Sequence, residues 1–230
     1  MNLISNPVQE IFGDVKCPGD KSISQRILII GSLLNCDINV SGFLNAKDPL
    51  STMAALNQIG ALINKDGDLV KIKKRSKPFI SPESSIDLGN SGTGIRLMTG
   101  LISGLNLKAT LIGDESLSQR PMSRVVDPLV KMGKKISTND GKTPIKIQGG
   151  SISDNFDYKM PVASAQVKSS LILASLSSGN SIHIEEPKVT RDHTERMIEY
   201  CGGKIDVQNS LEGKKITLNK SNLSKISSSS

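Results

Sequence analysis

The sequence predicts an α/β chain (α+β in detail) of three βαβαββ repeats, packed around central helices with pseudo-threefold symmetry. Three observations carry this. First, residues 39–63, 110–136 and 181–205 share one plan: short strand, polar loop, helix, then Gly-x-x-Ile. The glycines are Gly60, Gly133 and Gly202, spaced 73 and 69 apart, and glycine just past a helix closes it in the left-handed conformation at little cost. Second, an alternating strand follows each: 69–73, 144–148 and 215–218. Third, a helix precedes each: 21–34, 93–102 and 165–176. A unit of about 70 residues cannot bury two helices and a sheet by itself, so three should share one centre. The more apolar helix of each unit should be central and the amphipathic one outer.

Taken in order, the first helix follows a Pro18-Gly19 turn and Asp20-Lys21-Ser22. Ile23, Ile27, Ile30 and Leu34 recur at the spacing of a buried helix face. Ser22 and Arg26, four apart, share the opposite face. The second unit opens through Leu88-Gly89-Asn90-Ser91-Gly92, and the third through Met160-Pro161-Val162-Ala163-Ser164. Pro128 lies inside the helical stretch 122–132. Either the helix starts near Asp127, or a bend there aims Arg120 and Arg124.

Composition narrows the function. A hydrophobic content of 37% with 22% charged residues fits a globular protein. Four Phe, two Tyr and no Trp leave few platforms for stacking bases, which argues against single-strand nucleic-acid binding. The net charge of +7 suits anionic ligands. Cys17, Cys36 and Cys201 are far apart, and with only His183 and His193 they make no zinc pattern. An odd cysteine count without a leader-like start predicts a reducing cytoplasm, and no apolar run approaches a membrane span.

The three helix entries hold Lys21 and Ser22; Asn90, Ser91, Gly92 and Thr93; and Ser164, Ala165 and Gln166. All three are helix starts, whose free N–H groups and positive dipole end attract anions. Arg120 and Arg191, in the loops before the outer helices, add guanidinium forks suited to carboxylate or phosphate. Together these predict one shared anion site. His193 reads as part of a helix start rather than a general base, and Cys17 as a small thiol rather than a nucleophile.

Five motifs in order resemble the 5-enolpyruvylshikimate-3-phosphate synthases. They are Pro18-Gly19-Asp20-Lys21-Ser22 with Arg26; Leu88 to Gly94 with Arg96; Gly113-Asp114 leading to Arg120-Pro121-Met122; Ser164-Ala165-Gln166-Val167-Lys168-Ser169; and Thr190-Arg191-Asp192-His193-Thr194-Glu195. The resemblance implies an enolpyruvyl-transferase-like fold and a bacterial, cytoplasmic, usually monomeric enzyme of the shikimate pathway, which leads to aromatic amino acids through chorismate. It also implies the reaction. The enolpyruvyl group of phosphoenolpyruvate passes to the 5-hydroxyl of shikimate 3-phosphate through a tetrahedral intermediate that loses phosphate, without cofactor or metal. Carried over by motif, Lys21 and Arg120 are catalytic and Lys21 touches both substrates. Ser22, Arg26, Ser164, Ala165 and Gln166 hold shikimate 3-phosphate, with Arg191 near its phosphate. Gly92 and Arg120 hold phosphoenolpyruvate, and Asn90 and Thr93 stand beside them. The Ser-Ala-Gln-Val-Lys-Ser form is similar to the class that tolerates the inhibitor glyphosate, although some tolerant members carry alanine where Gly92 stands.

The resemblance also implies a partner. Family members have two similar domains, and the second supplies proton-transfer groups and further cations. Residues 1–13 are expected to contribute a strand to that second domain. Residues 14–219 form the three-repeat domain (units 14–80, 84–150 and 156–219), and 220–230 a Ser-rich tail or crossover. The chain is thus expected to be an N-terminal half that binds shikimate 3-phosphate and turns over little alone. The alternatives are an enolpyruvyl transferase acting on UDP-N-acetylglucosamine, the RNA 3'-phosphate cyclase that shares the fold, and a non-catalytic basic module.

Overall fold

The computed structural model describes residues 4–10, 12–210 and 213–220; the expected Ser-rich tail at 221–230 lies outside them. The first unit contains α1 (Lys21–Leu33), β1 (Ile38–Val40), α2 (Lys47–Gln58), β2 (Leu62–Asp66) and β3 (Leu69–Lys73). The second runs β4 (Ile86–Asp87), α3 (Gly92–Gly104), β5 (Ala109–Ile112), a single-turn α4 (Glu115–Ser118), α5 (Ser123–Lys131), β6 (Ile136–Asn139) and β7 (Lys142–Ile147). The third runs β8 (Phe156–Lys159), α6 (Ala165–Ser178), β9 (Ile182–Glu186), α7 (His193–Tyr200), β10 (Ile205–Asn209) and β11 (Lys214–Leu218).

The last two units build the same sheet, ordered β4-β5-β7-β6 and β8-β9-β11-β10. In each, the first strand pairs parallel to the second and the others pair antiparallel. The first unit departs from the repeat: its sheet is β1-β3-β2, and residues 14–20 before α1 are neither helix nor strand. Its β1 is only three residues long and Val15 is solvent-exposed, so neither length nor burial favours a further strand there. Residues 4–10 also carry no helix or strand.

The repeating glycines do what their spacing predicts. Gly60, Gly133 and Gly202 have φ of +98°, +103° and +79°. Each N–H bonds the carbonyl three back (Asn57, Val130, Glu199), and the following N–H bonds Leu56, Leu129 or Ile198. That pair of bonds is a Schellman closure, which satisfies carbonyls a helix end would otherwise strand. The chain then enters β2, β6 or β10, and the strand after it (β3, β7 or β11) has alternate residues in the core: Val70 and Ile72, Ile145 and Ile147, Ile216 and Leu218.

Helices α1, α3 and α6 form the centre. The α6 residues from Val167 to Leu176 are all buried, whereas α7 buries only Thr194, Glu195 and Ile198. Pro128 does not delay α5, which begins at Ser123 and carries the proline within it on the buried side with Val125 and Leu129. Arg124 therefore sits in the first turn of that helix.

One expectation is reversed. On α1 the apolar stripe is buried only towards its end, at Ile30 and Leu34, whereas Ile23 is 45% exposed. The face carrying Ser22, Gln25 and Arg26 is the buried one. It turns inward because hydroxyls and carbonyls of other elements satisfy its polar groups, so burial leaves few donors unpaired.

Candidate functional site

The three helix starts are capped alike and tied together. Asp20 Oδ1 accepts from the Ile23 N–H at 2.8 Å, Ser91 Oγ from Gly94 N–H at 3.0 Å, and Ser164 Oγ from Val167 N–H at 3.4 Å. From α1, Gln25 Nε2 donates to Ser91 Oγ at 2.7 Å and to Thr52 Oγ1 at 2.9 Å. From α6, Gln166 Nε2 donates to Thr93 Oγ1 at 2.9 Å. These bonds bring together Ser22, Gly92, Thr93, Ser164, Ala165 and Gln166, which the sequence scatters over more than half its length.

Cations flank this shelf. Lys21 Nζ lies 3.0 Å from Asp48 Oδ2, in a half-exposed pair whose worth to stability is small, about 0–1 kcal/mol. The pair matters more for aiming the ammonium. Arg26 is buried, and its guanidinium donates to Ser22 O at 3.0 Å, Thr194 Oγ1 at 2.8 Å and Ser169 Oγ at 3.0 Å. Burial pushes its pKa down to about 10, the Glu195 charge opposes that shift and Arg191 adds to it; Arg26 is a cation at neutral pH. Exposed Arg191 therefore stands near enough to Arg26 for the two like charges to oppose each other.

A second cationic group gathers at the start of α3. Arg96 donates to Gly92 O at 2.8 Å and Pro121 O at 3.0 Å, and its pKa is lowered first by burial, then by Arg120 and Arg124. A Cβ on Gly92 would lie 2.9 Å from Arg96 Nη1 and 3.0 Å from Arg120 Nη1, so both guanidinium groups lean on that glycine. Arg120 is aimed by a relay: Asp114 accepts from Asn90 Nδ2 at 3.0 and 2.8 Å, and Asn90 Oδ1 accepts from Arg120 Nη2. The Leu117 N–H, then the Asn90 amide, hold the Asp114 carboxyl below the usual carboxylate range. A depressed carboxyl stabilises the fold above its ordinary pKa and loses that contribution as pH falls through the lowered value. The relay should therefore hold at neutral pH and let go only in acid. Asp114→Ala is expected to free Arg120 and weaken an anion bound beside Gly92 about tenfold, a loss near that of one charge-assisted bond; titration of wild type and variant checks it.

His193 is the first residue of α7, as expected, and its buried Nδ1 has no hydrogen-bond partner among the described residues. Asp48, Gln25 and Arg124 were not singled out as binding groups in the sequence. Gln25 lies inside the first motif and could have been suspected, but Asp48 meets Lys21 only through the packing of α2. A surface hollow of about 770 Å³ lies along the third sheet between Lys159, Glu185, Asn209 and Lys215. Its mixed charges make it a poorer anion site than the helix starts.

The comparisons with known proteins decide the family. A profile described as EPSP synthase (3-phosphoshikimate 1-carboxyvinyltransferase) matches residues 5–226. The chain belongs to the EPSP synthase family. The 3-phosphoshikimate 1-carboxyvinyltransferase of Vesicomyosocius okutanii is 46% identical over 207 residues, covering 88% of this chain and 47% of that protein. The enzyme of that name from Shouchella clausii is 42% identical over 208 residues, covering 89% and 48%. The EPSP synthase structure from Acinetobacter baumannii superposes with a TM-score of 0.81 at 38% identity, over 90% of this chain and 46% of that one. The chain therefore spans about half the length of the EPSP synthases it matches. The predicted three-repeat, enolpyruvyl-transferase-like fold is the fold of that family.

Proposed function

We propose that this chain is the shikimate-3-phosphate-binding half of a 3-phosphoshikimate 1-carboxyvinyltransferase. The observation that supports it best is the joining of three capped helix starts by the Gln25–Ser91 and Gln166–Thr93 bonds, with Lys21, Arg26 and Arg191 alongside. Free N–H groups and fixed cations make a seat for a phosphorylated sugar acid without a metal. In this reading Ser22, Ser164, Ala165 and Gln166 orient the shikimate ring, and Arg26 and Arg191 face its phosphate. Lys21 stands between the two substrates, while Gly92, Arg96 and Arg120 take phosphoenolpyruvate. As the carbon–oxygen bond to phosphate breaks, negative charge builds on the departing phosphate. Lys21 and Arg120, already fixed by Asp48 and Asn90, stabilise it without reorganising, the electrostatic mode of catalysis. Protonation of the enolpyruvyl carbon and the remaining cations are assigned to a second domain, in cis or as a separate chain.

Calorimetric titration of the 230-residue chain with shikimate 3-phosphate tests this. Saturable binding is expected, at least tenfold weaker in Lys21→Ala. The absence of binding, or equal affinity for UDP-N-acetylglucosamine, would sink the reading. Substantial turnover by the chain alone would sink the assignment of the proton-transfer groups to a second domain.

A further inference from the structure

A buried charge cluster lies behind the shelf. Lys168 of α6 is fully buried, with Nζ 3.1 Å from Glu186 Oε2 at the end of β9 and 2.7 Å from Glu195 Oε1 in α7. Glu186 and Glu195 are buried too, so one ammonium faces two carboxylates with no bulk water to screen them. The charge balances only when Arg26 is included, and Arg26 does feel the Glu195 charge. Glu195 Oε2 has no hydrogen-bond partner among the described residues, so its place is set by charge and packing. An arrangement this costly is easily lost if any member changes.

Each member adjoins a residue that touches the site. Next to Lys168 is Ser169, and next to Glu195 is Thr194. These two hydroxyls bond each other at 2.7 Å and both accept from Arg26. Glu186 accepts from Thr190 Oγ1 at 2.7 Å and Thr190 N–H at 3.4 Å, which fixes the residue immediately before Arg191. One cluster thus holds both arginines that the proposed function sets against the shikimate phosphate.

We infer that Lys168, Glu186 and Glu195 are positioning residues: as a single ionic clamp they set Arg26 through Ser169 and Thr194, and Arg191 through Thr190, for phosphate recognition. The phosphate role rests on the proposed function; the clamping of Arg26 does not.

The test uses the 230-residue chain and reads Arg26 directly. The Arg26 Nε–H resonance, assigned by its loss in Arg26→Lys, should exchange slowly with solvent in the wild type because it is buried against Thr194 Oγ1. In a triple variant, Lys168→Met with Glu186→Gln and Glu195→Gln, the shape is kept and Arg26 is the one charge left of the four. There the exchange should accelerate at least tenfold, and shikimate 3-phosphate should bind at least tenfold more weakly. Should the triple variant not fold, Glu195→Gln alone, which keeps the Lys168–Glu186 pair, is expected to speed Arg26 exchange by the same factor. Wild-type exchange and wild-type affinity in a folded variant would overturn the inference. If the wild-type chain binds no shikimate 3-phosphate, the functional reading fails, and the Arg26 exchange rates still decide the clamp.

Discussion

Gly100→Ala is expected to lower the melting temperature by about 4–8 °C, a net cost of about 2 kcal/mol, and Gly100→Leu to leave little folded chain. A Cβ at Gly100 would lie 2.1 Å from the Ser170 carbonyl oxygen, and one turn later a Cβ at Gly104 would lie 2.2 Å from that of Ala174. Helices α3 and α6 are thus in backbone contact along this pair of glycines. Two effects compete. Alanine is the better helix former by about 1 kcal/mol, while overpacking a tight interface costs about 1–3 kcal/mol or more. The clash wins because the atom struck is backbone, which cannot rotate away, so relief requires the two central helices to part. For a chain of this size about 1 kcal/mol moves the midpoint by roughly 2–4 °C. Thermal unfolding followed by circular dichroism reads the result, and a midpoint within a degree of wild type for Gly100→Ala would show that the helices are not in contact there.

Gly92→Ala should behave in the opposite way, keeping the fold and losing ligand. The atoms nearest its added Cβ are the guanidinium nitrogens of Arg96 and Arg120, at 2.9 and 3.0 Å, which are far ends of flexible side chains. They can swing aside at small cost to stability. However, Arg120 would then leave Asn90, and Arg96 would leave the Gly92 carbonyl. Losing the aim of one such cation is worth about 1.5–3 kcal/mol, roughly ten- to a hundredfold in affinity. On the proposed function the loss falls on phosphoenolpyruvate, not on shikimate 3-phosphate. Titrating phosphoenolpyruvate into the chain preloaded with shikimate 3-phosphate measures it. Equal affinity in the two proteins would mean that Arg96 and Arg120 do not meet the ligand at Gly92.

Much of the architecture was legible in the sequence because it is written in local chemistry. The Gly-x-x-Ile closures at Gly60, Gly133 and Gly202 report the left-handed residue that ends each of these helices just before a strand. The alternation in Leu69–Lys73 marks one buried and one wet face. The helix starts at Lys21, Gly92 and Ala165 were announced by Asp20, Ser91 and Ser164, whose side chains cap them. The misreadings share a cause. Ile23 and Ile27 have the spacing of a buried stripe, yet at that end of α1 the neighbours Ser91, Ser169 and Thr194 draw Gln25 and Arg26 inward instead. Periodicity shows that a helix has two faces, but it does not show which face meets partners able to satisfy its polar groups.

The three-unit plan, the helix starts and the family motifs were all legible before folding, since each depends on residues a few positions apart. How those motifs meet depends on long-range packing. Arg26 reaches Thr194 across 168 residues, Gln166 reaches Thr93 across 73, and Lys168 binds carboxylates from two other elements. Such contacts form only when burial has fixed the packing of α1, α3, α6 and α7, because a buried charge or amide must take whatever partner the fold brings within about 3 Å.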